Sequence, residues 1–483
     1  MNPPVGKFEQ RLFAAYLLLL IWLPLPLGSN RPWAAAIFVG WAGLLCLAYL
    51  VGLRRGVVQP GVALGQARVA WWLLAGWLAW LTLQWLPMPS GLRQWLSPQG
   101  FAIQGLAGET GWAPLSLDPF ATFRYWLNNL GYAALFALTL LLVNSKLRLV
   151  MLAYALVFSG LLQAFYGGIM TLSGMEYGFF VPKEFYRGTA TGTFVNRNHL
   201  AGYLEMTLAV GIGLLLATQY RKEQALGWRQ HLRNLLNLVF SQKLPLRLAL
   251  AIMVIALVLT RSRMGNTAFF ASMLVAGLIA LVAYRRQAGS FATMFRRDDT
   301  RSAVILIASL VVIDLFIVGA WFGVEQVAQR IASSSLSHDA DRIDVSRDTL
   351  ALIADYPLTG TGGGSFHLAF MPYRSQAIAA YYDHAHQDYL EIMADTGLVG
   401  ASLFGLLVLA SLLAALKALH RRRDDLMRGM AFASIMAIVA LAIHGTVDFN
   451  LQIPANAATF MVILALGWIA LHLDRQEERA HGR

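Results

Sequence analysis

Residues 389–417 read YLEIMADTGLVGASLFGLLVLASLLAALK. After Asp395 the run stays uncharged until Lys417, and a helix needs only ~20 apolar residues to cross a bilayer core. The residues just before it, His384-Ala-His386-Gln-Asp388, bring ionisable groups to the mouth of that span. One stretch therefore carries the fold signal and a cluster of chemistry-bearing side chains.

Similar runs recur along the chain. The spans read at 11–28, 33–53, 69–86, 126–143, 148–172, 199–218, 247–260, 265–284, 302–324, 389–417, 430–449 and 457–473. Hydrophobic residues make up 57% of the 483 positions and charged residues 13%, about half the share usual in soluble domains. The expected fold is an all-α polytopic membrane protein of about twelve transmembrane helices with a large loop domain on one face. Lys7 and Arg11 before the apolar run Leu12–Leu23 resemble a signal peptide, but Pro24, Pro26 and Gly28 follow without a small-x-small pattern, so this run reads as an uncleaved first span. Cys46 is the sole cysteine, which excludes an internal disulfide and a thiolate metal cluster.

The net charge of +12 does not call for nucleic acid, because the basic residues sit between spans. By far the larger share of the 38 lysines and arginines falls on one side of the twelve-span arrangement, including the clusters in Arg221–Arg247, Arg285–Arg301 and Arg421–Arg423. Translocation disfavours such residues, so that side and both termini are expected in the cytoplasm of a bacterial inner membrane. Segments 87–125, 173–198 and 325–388 then face outward, into the periplasm. The last contains an amphipathic helix around Asp341–Asp355, ended by Pro357, and the turn Gly360-Thr-Gly-Gly-Gly364, read as flexible backbone that could approach a ligand.

Four polar clusters are expected at this outer surface. Asp388, Glu391 and Asp395 share a helix face at i, i+3 and i+7; helix-dipole compensation accounts for the first two, while Asp395 lies deeper and needs a partner. Thr260-Arg261-Ser-Arg263 ends one span, Arg187 and Asn196-Arg197-Asn198-His199 lead into another, and Arg124 edges the first long loop. Each arginine alone could serve a structural ion pair; together they could grip a phosphate or pyrophosphate by bidentate hydrogen bonding. His384 and His386 could join a metal site, but local spacing sets no third ligand. His386 can instead accept a hydroxyl proton, with a neighbouring carboxylate fixing its tautomer. Asp314 within 302–324, and Asp448, are intramembrane acids of the kind that mark ion paths or polar packing. Twelve spans and Asp314 leave a secondary transporter as the alternative of another class, although transporters place such groups at the midplane of internal repeats and none is visible.

At these residues the chain resembles the O-antigen ligase and polymerase superfamily. His386-Gln387, nine residues, then Gly397-Leu-Val-Gly400 matches the ligase pattern His-[Asn/Ser/Gln]-x9-Gly-x-x-Gly. Thr260-x-Ser262-Arg263 is similar to the family's arginine motif. Arg187-Gly-Thr-Ala-Thr-Gly192-Thr-Phe-Val-Asn196-Arg-Asn198-His199 is similar to its Arg…Gly-Thr-Phe…Asn-x-Asn segment, and Asp355-Tyr-Pro-Leu-Thr-Gly360-Thr-Gly to its loop turn. The likeness runs in order from about 185 to 450; earlier residues add a compatible span count and Pro114-Leu-Ser-Leu-Asp-Pro119. The expected division is a first helical region at 1–180, the ligase-like core at 181–450 and a last span with its tail at 451–483.

The resemblance implies a GT-C-like glycosyltransferase, inverting and independent of metal or other cofactor. Its donor would be an undecaprenyl-pyrophosphate-linked glycan, and its partners an acceptor glycan or lipid A core and membrane lipids. By carry-over, Arg187 and Arg263 hold the pyrophosphate and His386 orients or deprotonates the acceptor hydroxyl; Arg261, His384, Asp388, Glu391, Asn198 and His199 support them. A polymerase of lipid-linked repeats and a protein O-oligosaccharyltransferase share these motifs. Replacing Arg187 or Arg263 with Lys keeps the charge and loses the planar fork. Transfer, followed by lipid-linked glycan accumulation, should then fall strongly while membrane insertion stays near normal; wild-type behaviour of both variants would make these arginines structural.

Overall fold

The computed structural model describes residues 6–58, 61–109, 111–218, 244–288, 335–376, 378 and 381–473. They are mostly helical: α1 (Lys7–Trp22), α2 (Pro32–Arg54), α3 (Val62–Gln66), α4 (Arg68–Trp85), α5 (Ser90–Leu96), α6 (Pro98–Leu106), α7 (Pro119–Leu142), α8 (Lys146–Leu172), α9 (Arg197–Thr218), α10 (Leu244–Leu259), α11 (Arg263–Ala288), α12 (Ser335–Asp355), α13 (Phe366–Ala369), α14 (Asp388–Arg421), α15 (Asp425–His444) and α16 (Pro454–His472). A two-stranded hairpin, β1 (Tyr177–Gly178) and β2 (Val181–Pro182), is the only sheet among the described residues.

Among the described residues eight helices are long and apolar enough to cross a membrane: α2, α7, α8, α9, α11, α14, α15 and α16. Helices α1, α4 and α10 also coincide with expected spans but are shorter or less apolar. The expected span at 302–324, with Asp314, lies outside the described residues. Helix α7 begins at Pro119, earlier than expected, because Asp118 caps it by accepting the Ala121 N–H at 3.0 Å.

Burial is arranged for lipid. α16 is buried throughout, with α9 and α15 nearly so, whereas α2, α11 and α14 turn Leu44, Leu278 and Leu406 outward. Helices α9 and α15 cross so closely that a Cβ on Gly213 would lie 2.2 Å from the Gly429 carbonyl oxygen, and one on Gly429 equally close to that of Gly213. Backbone contact through paired small residues is how helices associate where lipid supplies no hydrophobic drive.

The turn Gly360–Gly364 corrects an expectation: it is clamped, not flexible, and approaches protein. The N–H groups of Thr361 and Gly362 donate to the carbonyls of Ala394 and Asp395, Leu117 N–H donates to Thr361, and Gly363 N–H donates to Gln84. Gly362 has φ +112°, and a Cβ there would strike Ser116. The first outer segment is likewise pinned, by buried Arg93 donating to Gln104 and to the carbonyls of Glu109 and Gly111.

Gly213→Val or Gly429→Val should force α9 and α15 apart. Overpacking typically costs about 1–3 kcal/mol and more where backbone must move. Loss of the monodisperse folded species in size-exclusion profiles is expected, whereas Gly405→Val, whose Cβ meets nothing within 4 Å, should be tolerated.

Candidate active site

The ends of α4, α8, α10 and α15 and the starts of α7, α9, α11, α14 and α16 lie at one end of the bundle, the end expected to face outward. Its centre is the start of α14. Asp388 N–H donates to the carbonyls of Gly445 and Asp448, each at 3.0 Å, and the Asp388 carboxylate accepts Leu451 N–H at 3.0 Å. The α15–α16 turn is thereby fixed against α14.

That turn presents Asp448 and Phe449. The Asp448 carboxylate accepts Phe449 N–H at 2.8 Å and the Asn198 side-chain amide, and stands 3.5 Å from His199 Nε2. Three imidazoles surround the Phe449 ring: His384 stacks at 4.3 Å between centroids, while His386 and His199 meet it edge-on at 4.8 and 4.7 Å.

The two loop histidines receive opposite treatment. His384 Nδ1 donates to Glu391 Oε1 at 2.6 Å, and the other oxygen of that buried carboxylate accepts Ala385 N–H at 2.9 Å. Burial disfavours a charged His384, yet Glu391 outweighs it and the pKa rises to about 9, so this imidazole is a cation at neutral pH. His386 lacks such a carboxylate: burial, then Arg342, pull its pKa down to about 4 and keep it neutral. Its Nδ1 is buried with no hydrogen-bond partner, and its backbone is left-handed, φ +53°. Tyr186 (φ +58°) and Arg261 (φ +52°) share that strained conformation, which in bulky residues persists where surrounding structure imposes it.

Arginines gather beside these groups. Arg197, at the start of α9, lies over the Tyr186 ring at 5.7 Å; after burial and Tyr186, the charges acting on it are those of Arg263, Arg342 and Arg261. Its Nε is buried without a partner. Arg342 belongs to the surroundings of both His386 and Arg197 and links the two groups. In Thr260-Arg261-Ser262-Arg263 the buried hydroxyls turn the chain, accepting the N–H groups of Ser262 and Gly265. Both arginines act electrostatically on Arg197. The structure thus gathers Arg261, Arg263, Asn198, His199, His384, His386, Asp388 and Glu391 at one end of the bundle. Arg187 stands apart in its recorded contacts: its Nε donates to the Lys183 carbonyl at 2.9 Å and it lies in the field of Glu176, although Tyr186 next to it reaches the cluster. Arg124 lies over the Phe120 ring at 5.9 Å.

Asp395 meets backbone on one oxygen only: Oδ2 accepts Gly364 N–H at 2.7 Å, while Oδ1 is buried without a hydrogen-bond partner. Among the described residues, no group of three or more His, Cys, Asp or Glu could hold a metal ion. Sequence reasoning missed Arg342, Phe449 and the Glu205–His444 pair, 2.8 Å apart and fully buried. Glu205 carried a signal: it is a lone acid in an apolar span, where an ionisable group needs a partner.

These features define a multi-pass helical membrane protein with a cation-rich, imidazole-lined site at one end of its bundle. A protein-family model described as O-antigen ligase matches residues 248–405, which bears out the resemblance to the O-antigen ligase superfamily and points to an enzyme of ligase or polymerase type. The matched segment contains Arg261, Arg263, Arg342, His384 and His386; Arg187, Asn198 and His199 precede it, and Asp448 and Phe449 follow. No curated protein matches the chain.

His384→Ala would leave Glu391 buried without its cation, a loss of about 3 kcal/mol. The measurement is a double-mutant cycle of thermal stability in detergent. His384→Ala with Glu391→Gln should cost much less than the sum of the single changes; simple additivity would show that the pair is not coupled.

Proposed function

We propose that the chain is a bacterial inner-membrane glycan transferase, moving a saccharide from undecaprenyl pyrophosphate to an acceptor hydroxyl on the periplasmic side. The supporting observation is the placement of a neutral imidazole, with an unpartnered nitrogen, near Arg342, which together with Arg261 and Arg263 also surrounds the half-buried Arg197. Gathered guanidiniums in a partly desolvated place repel one another, and a di- or trianionic leaving group relieves that repulsion.

In this reading Arg197, Arg261, Arg263 and Arg342 hold the pyrophosphate, with Arg187 at the rim. The acceptor oxygen attacks the anomeric carbon opposite the leaving group. The carbon–oxygen bond to phosphate breaks, the lipid pyrophosphate departs with the electron pair, and the hydroxyl proton passes to His386. His384 cannot share that task, because beside Glu391 it is already a cation at neutral pH, with both ring nitrogens protonated. The acceptor is lipid A core for a ligase; for a polymerase it is a second lipid-linked glycan and the same step applies.

His386→Ala should reduce transfer by roughly 10²–10⁴-fold, the usual worth of a positioned base, while lipid-linked donor accumulates. Because the folded pKa is about 4, activity should hold from pH 8 to about 5 and fall only as the imidazole protonates near 4. A decline centred near pH 6.5 would contradict this assignment. Activity abolished by a chelator and restored by one divalent metal would overturn the arginine-based mechanism.

A further inference from the structure

The segment between α8 and α9 buries an ion pair and turns several apolar side chains outward. Lys183, almost fully buried, donates to Glu176 Oε2 at 2.8 Å and to the Thr189 carbonyl at 2.9 Å, while Glu176 Oε1 accepts Gly188 N–H at 2.8 Å. Around this charged interior the hairpin pairs Gly178 with Val181, leaving Phe179-Phe180 as its two-residue turn. Both have positive φ, 45° and 65°. Asn and Gly are the usual occupants of such a turn, so two phenylalanines hold it against their backbone preference.

Phe179 is half-buried against Phe180, whose ring points outward. Phe180 is 85% exposed and Phe185 72%, with Val181 and Met175 also outward. This apolar surface continues the outer stripe of the membrane-crossing helix α8, where Phe158, Phe165 and Leu172 are exposed at helical spacing, Leu172 at 68%. An exposed apolar surface over the paired Lys183 and Glu176 suits lipid, with exposed Glu184 its one charged interruption, and aromatic rings are favoured at the boundary between headgroups and acyl chains.

We propose that the 175–185 hairpin is an interfacial wedge seated in the outer leaflet, its Phe179-Phe180 tip among the upper acyl chains. Its occupant is the bilayer that surrounds α8. The wedge sets the depth of Arg187, which it carries through the bond to the Lys183 carbonyl, at the level of lipid phosphates.

The test reads location independently of activity. In a Cys46→Ser background, Phe180→Cys and, separately, Phe185→Cys are labelled with an environment-sensitive fluorophore in phosphatidylethanolamine/phosphatidylglycerol nanodiscs. Exposed Glu109→Cys in the first outer segment is the aqueous reference. The labels at 180 and 185 should be blue-shifted, quenched several-fold more by shallow doxyl-lipid than the reference, and protected from iodide. Iodide quenching equal to the reference, with no effect of doxyl-lipid at either position, would overturn the wedge. Failure of the transferase reading leaves this result unchanged.

Discussion

Asp388 holds the first turn of α14 to the turn that joins α15 and α16, and the rest of the site is built on that tie. Its backbone N–H and its carboxylate both engage residues 445–451, so Asp448 and Phe449 have one position relative to the helix. One turn deeper Glu391 fixes the histidine loop, and one further Asp395 fixes the glycine turn after α12. Three carboxylates at helical spacing thus anchor three separate stretches of chain. In a low-dielectric setting each must find donors, and the backbone and imidazole groups that supply them are thereby positioned.

The same arrangement divides labour between residues two positions apart. His384 receives a carboxylate and becomes a fixed cation stacked on Phe449; His386 receives arginine fields and stays uncharged. A single pair of groups with divergent environments is how one site separates structural from chemical roles at one pH. The arginines supply the complementary half, a region of positive charge that a departing pyrophosphate would balance.

Much of the fold was legible because membrane spans are long, apolar and bounded by basic residues, a signal strong enough to survive in a single sequence. Arg261, Arg263, His384 and His386 were legible through motif and through position at span ends. Arg342 was not, since one arginine on an amphipathic helix has no distinguishing pattern and only the packing of α12 brings it to His386. Phe449 read as one apolar residue among many; its role depends on three imidazoles arriving from distant segments. The glycine turn misled for a related reason. Sequence shows that glycine is needed but not whether the close neighbour is ligand or protein, and here Ser116, Tyr125 and the backbone of Asp395 occupy that space.

The central claim is that the fold holds His386 uncharged and His384 charged beside the arginine cluster. It is tested most directly by titrating ¹⁵N-histidine-labelled protein in detergent by NMR, with the two signals assigned through His386→Gln and His384→Gln. The account predicts that His386 remains neutral until the pH approaches about 4 and that His384 keeps its proton until about 9. Titration of both rings together near 6.5 would contradict it.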